Sequence, residues 1–92
     1  MPRFYFQIRD GFGFAPDEEG QELPSIEEAR AVAVEGARSL LGAGVEEGRL
    51  DIRGSILMKD NQDQLLETVR FEDVVEVMKG PLPPLSSEKG EK

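Results

Sequence analysis

The chain has 92 residues, 38 % of them hydrophobic and 33 % charged, which suits a single domain with one modest core rather than a disordered chain. Nineteen Asp and Glu against eleven Lys and Arg leave a net charge of −8, which argues against a surface that tracks nucleic acid, because such a surface needs clustered cations to displace counterions. Cys and His are both absent, so disulfides, zinc–thiolate sites, cysteine nucleophiles and any Ser-His-Asp triad are excluded.

From Arg3 to Arg9 the residues alternate, with Phe4, Phe6 and Ile8 on one face and Tyr5, Gln7 and Arg9 on the other, which is the period of a strand. Asp10-Gly11 is a turn dipeptide, and Phe12-Gly13-Phe14 is expected to return as a short second strand. The hairpin so formed has an aromatic inner face, and Phe4, Phe6 and at least one of Phe12 and Phe14 are assigned to the core. Ala15 to Pro24 reads as a polar loop containing the acidic turn Asp17-Glu18-Glu19-Gly20. Ser25 and Glu28 stand at capping-box spacing, and Glu27 and Glu28 suit the positive end of a helix dipole. Ile26, Ala29, Val32, Ala33, Gly36, Ala37, Leu40 and Leu41 then form one apolar stripe, so a long helix is predicted here, with Gly42 and Gly44 expected to stop it. Its small residues would let it lie close on a sheet.

Glu46-Glu47-Gly48 is a second acidic turn, and residues 49–59 alternate as a strand. Gly54 interrupts its apolar face, as happens where a ring crosses or a bulge bends the strand. Asp60 to Asp63 is a turn, and Gln64 to Arg70 is expected to return as a strand with Leu65, Leu66 and Val69 inward. The spacing of Phe71, Val74, Val75 and Met78 predicts a short helix over 72–78. The reading is an α+β domain over residues 1–78, ordered β-β-α-β-β. A small antiparallel sheet of three or four strands carries one long helix on one face and a short C-terminal helix. The order of the strands is open. Residues 79–92 are rich in proline, serine and compensating charge and are expected to be a disordered tail, in which Pro81 to Leu85 has the makings of a polyproline II ligand. No apolar run approaches the roughly 20 residues of a membrane span, and the opening does not resemble a signal peptide, so no membrane contact and a cytoplasmic location are the expectations.

Several segments match a known family in order and spacing. They are Pro2-Arg3-Phe4-Tyr5-Phe6, Arg9-Asp10-Gly11, Pro16 to Gly20, Glu22-Leu23-Pro24 and Glu28-Ala29-Arg30. Together, over about residues 2–75, they resemble a domain-of-unknown-function family of small, mostly alphaproteobacterial proteins. The resemblance implies a bacterial, cytosolic protein. It implies no activity and no site residue, and the proline-rich tail departs from the pattern.

Four constellations bear on function. The carboxylates Asp17, Glu18 and Glu19, near Asp10 and Glu22, offer oxygen ligands, but consecutive carboxylates lack the spacing of a cation-binding loop, so no metal and no cofactor are expected. Asp10 reads as a turn residue that bonds its own backbone; the functional alternative makes Arg9 and Arg3 anion anchors. If Met1 is removed, Pro2 becomes a terminal secondary amine of the kind that short tautomerases use as a base on keto acids, with Arg3, Arg9 and Arg53 as possible anion partners. Against that enzyme stands the turn, second strand and acidic loop that separate the first strand from the helix. The favoured expectation is a non-enzymatic protein-interaction module, self-associating, with Tyr5 and Leu57 on the outer strand faces as interface candidates. A third reading, an acidic decoy for a basic nucleic-acid-binding protein, requires most carboxylates to share one surface.

Overall fold

A computed structural model describes residues 1–85. In chain order it contains β1 (Arg3–Asp10), β2 (Gly13–Ala15), β3 (Gln21–Glu22), α1 (Ile26–Glu46), β4 (Ser55–Lys59), β5 (Leu65–Arg70) and α2 (Phe71–Val74). The strands form an antiparallel sheet in the order β2-β1-β4-β5, with β3 also paired to β1. The fold is therefore the α+β arrangement expected, with the strand order now defined and a fifth, two-residue strand, β3, formed within the segment expected to be a polar loop, where the edge of β1 offers it a partner. Residues 86–92 of the proline-rich tail lie outside the described residues. Among those described, no helix is long and apolar enough to cross a membrane.

The long helix begins as its sequence dictates. Ser25 Oγ accepts a hydrogen bond from the Glu28 N–H at 3.2 Å, satisfying one of the free donors of the first turn. Ala29, Ala33, Ala37 and Leu41, each one turn apart, are buried against Ile56, Met58, Val69, Phe71 and Val74, with Phe4 completing the core. Alanines on that face bring the axis close to the sheet. At Gly36 an added Cβ would lie 3.6 Å from Ile56 Cδ1. The helix does not stop at Gly42 or Gly44, as expected from sequence, but continues to Glu46. An interior glycine costs only about 1 kcal/mol in a helix, and burial of Leu41 in this turn outweighs that. The stop comes at Gly48, whose φ of +89° turns the chain, while the Glu47 and Arg49 N–H groups both bond Gly44 O.

Four other expectations give way to tertiary packing. The strand of residues 49–59 contracts to Ser55–Lys59, because Arg53 N–H is turned onto Asp51 and Gly54 O accepts from Phe71 N–H. At Gly54 a ring does cross: an added Cβ would meet Phe71 Cε2 at 2.6 Å and Arg9 O at 2.7 Å. Leu65 and Leu66 are 52 % and 38 % exposed rather than inward, because the register slips at Met58/Lys59 and breaks the alternation. The final helix ends at Val74, where Arg38 Nε takes the Val74 carbonyl at 2.8 Å, and Met78 is exposed. Phe12 and Phe14 are both exposed, at 79 % and 55 %, and neither joins the core. Phe14 pairs with Arg9 and so shares the face opposite the helix, while Phe12 sits at the turn with Arg49 stacked 4.8 Å from its ring centroid.

Candidate functional site: the open sheet face

Both helices pack on one side of the sheet, where Ile56, Met58 and Val69 point. The other side is built by the alternate residues. Cross-strand register sets out three rows: Phe14–Arg9–Ser55–Arg70, then Gln7–Leu57–Thr68, then Tyr5–Lys59. Tyr5 and Leu57, singled out from sequence, lie on this side in adjacent rows and are half-buried. Tyr5 owes its partial cover to the acidic loop: its ring lies where a Cβ on Gly20 would be, at 2.8 Å, and Gly20 takes a φ of +70° there.

That loop closes the edge of β1. β3 pairs with Arg3 and Phe4, and β2 pairs with Ile8 to Asp10. In the gap between them Asp17 Oδ2 accepts the Phe6 N–H at 3.0 Å, while Oδ1 accepts from Gly20 N–H at 3.1 Å and Glu19 N–H at 3.3 Å. Partial burial opposes the charge on Asp17, but the three backbone donors together outweigh it and hold its pKa below the ordinary carboxylate value. Its oxygens are thus committed to backbone. Asp10 is likewise a turn residue, with Oδ1 accepting Phe12 N–H at 2.8 Å. Among the described residues no group of three or more carboxylates is arranged to hold a metal ion.

The face is electrically uneven. At one end Tyr5, Gln7, Asp17, Asp60, Asn61 and Asp63 line a depression of about 190 Å³, where Lys59 pairs with Asp63 at 3.2 Å. Gln7 Oε1 is enclosed there and accepts no hydrogen bond. At the other end Arg9, Asp10, Gly11, Arg53 and Ser55 line a second depression of about 290 Å³, and Arg70 continues the row. Arg53 Nε and Nη2 grip both Asp51 oxygens at 2.8 Å. The Arg53 guanidinium and its own N–H hold the Asp51 pKa down to about 2. Arg70 pairs with Glu72. Arg9 is the one arginine of the described residues whose side chain has neither a hydrogen bond nor an ion pair within the chain.

The proline constellation does not converge. Pro2 is exposed, and its carbonyl accepts Leu23 N–H at 3.0 Å. Arg3 donates to Glu19 O at 2.8 Å and pairs with Glu22 at 3.1 Å. Arg9 lies six residues further along the same strand, about 20 Å away at the usual rise. Arg9 gathers with Arg53 instead, a proximity that spacing in the chain could not reveal.

Fold and face together define a two-layer α+β domain with one helix-covered and one open sheet side. A family model described as a domain of unknown function, DUF6894, matches residues 3–72, and the chain belongs to that family. No curated protein and no solved structure matches the chain. The matched region spans the whole sheet and α1, in keeping with the resemblance carried by the opening segments, and it brings no activity with it.

Proposed function

We propose that the protein is a non-catalytic interaction module that pairs with a second copy of itself through the open sheet face. The observation that carries the reading is the separation of charge along that face. Asp17, Asp60 and Asp63 stand at one end, against Lys59. At the other, Arg53 and Arg70 are paired with Asp51 and Glu72 beside Asp10, and the Arg9 guanidinium has no ion pair among the described residues. Gln7, Leu57 and Thr68 lie between the two ends. A two-fold axis through the middle row lays the arginine end of one copy on the carboxylate end of the other, twice over, as an isologous interface requires. It also brings Leu57 against its own counterpart and offers Arg9 a carboxylate. The acidic-decoy reading has less support, because six carboxylates of the described residues are engaged in ion pairs at scattered places.

Light scattering at about 100 µM, a concentration that populates a dimer of micromolar affinity, should report twice the chain mass. Leu57→Asp should return the monomer with its helix signal intact. The chain has no cysteine, so Leu57→Cys supplies a single thiol, and a two-fold through this row should let it oxidise rapidly to a disulfide-linked pair. Arg9→Glu should weaken pairing, and adding Asn61→Arg at the other end should restore it. A wild-type chain that stays strictly monomeric at that concentration rejects self-pairing.

A further inference from the structure

We propose that a second, separate site, the cleft between the hairpin turn and the C-terminal end of α1, receives one basic side chain, Arg or Lys, of a partner protein. The cleft holds about 230 Å³. Leu40, Leu41 and Phe71 give it an apolar floor and Phe12 an aromatic wall. That composition suits a cation carried on an apolar stem, which buries its methylenes and keeps its charge at the mouth.

Three observations set the sign of the ligand. The Phe12 ring already carries a guanidinium, that of the chain's own Arg49, at 4.8 Å from its centroid, so the ring face is accessible to a cation and attracts one. The mouth is lined by Asp10, Glu47 and Asp51. Of these, Asp51 is saturated by Arg53 and Glu47 is held by Arg49 at 3.0 Å, while Asp10 has one oxygen outside its turn bond. Finally, α1 has no basic residue in its last turn, so the negative end of its dipole is not neutralised by its own side chains. Arg49 then acts as an internal occupant. An incoming cation displaces it from the ring and gains Glu47 as it leaves.

The inference does not rest on self-pairing: the cleft shares Asp10 and Gly11 with the arginine-end depression, but its floor of Leu40, Leu41 and Phe71 lies on the helix side of the sheet. The test is a titration of the isotope-labelled full chain, followed by amide chemical shifts, with N-acetyl-arginine amide and N-acetyl-lysine amide. Saturable shifts confined to Gly11, Phe12, Gly44 and Arg49, with a Kd on the order of millimolar, are expected for one such contact. Phe12→Leu, a change at an exposed position that keeps apolar bulk, should weaken binding about three- to fivefold. Arg49→Ala should tighten it by a similar factor. Weaker binding by Arg49→Ala would mean that Arg49 supports the ligand rather than competing with it for the Phe12 ring, and the proposal fails. It fails equally if uncharged N-acetyl-norleucine amide binds as well, or if no saturable shift appears. Tighter binding of butylguanidinium than of the capped amino acid would assign the cleft to a small free guanidinium compound and overturn the partner.

Discussion

Gly54 and Asp17 show how single positions carry this fold by opposite means. Gly54 is needed for what it lacks, since the Phe71 ring and the Arg9 carbonyl occupy the space of a side chain. Gly54→Ala should lower unfolding stability by about 1–3 kcal/mol, the usual cost of overpacking, as a shifted urea midpoint with unchanged slope. Asp17 is needed for what it accepts. Asp17→Ala strands the Phe6, Glu19 and Gly20 N–H groups and should cost about 1–3 kcal/mol, whereas Asp17→Asn keeps an acceptor and should cost less. The pKa of Asp17 is lower folded than the ordinary 3.8. Its charged form is therefore the one the fold favours. The associated stability is present in full above that value and is lost as pH falls through the folded pKa. The advantage of wild type over Asp17→Asn should accordingly shrink in urea titrations below pH 3.8. Gly54 was legible in the sequence as an interruption of an alternating run. Asp17 was legible only as part of an acidic turn, because its use depends on a gap in an edge eleven residues upstream.

Among the elements, α1 is the one whose existence, start and buried face follow from local chemistry. Ser25→Ala removes the cap and should cost about 1 kcal/mol in thermal or urea unfolding. The stripe from Ala29 to Leu41 is long enough for its period to outweigh three interior glycines, Gly36, Gly42 and Gly44, which is why the helix passes through them. Shorter elements were less readable. β3 has two residues and exists only because β1 offers it an edge. The inward face of β5 could not be read because a register slip beside Lys59 spoils the period of two. α2 is one turn, cut short by a bond from Arg38, which comes from a different helix.

For the molecule as a whole, the open face is the feature with functional consequence. Pairing driven by complementary ends should weaken with salt, so raising sodium chloride from about 50 mM to about 500 mM, which shortens the Debye length severalfold, should shift light scattering toward monomer. Pairing driven by Leu57 alone should be unaffected or strengthened by the same change. The sequence by itself determined the α+β class, the aromatic first strand, the capped helix and the exclusion of cysteine and histidine chemistry, because those depend on residue identity and on periods that repeat within a few turns. Tertiary structure alone decided the strand order, the outward turn of Phe12 and Phe14, the engagement of Asp17 with backbone and the meeting of Arg9 with Arg53. Each of these depends on which groups from distant parts of the chain compete for the same space or the same donor, and no local pattern records that competition.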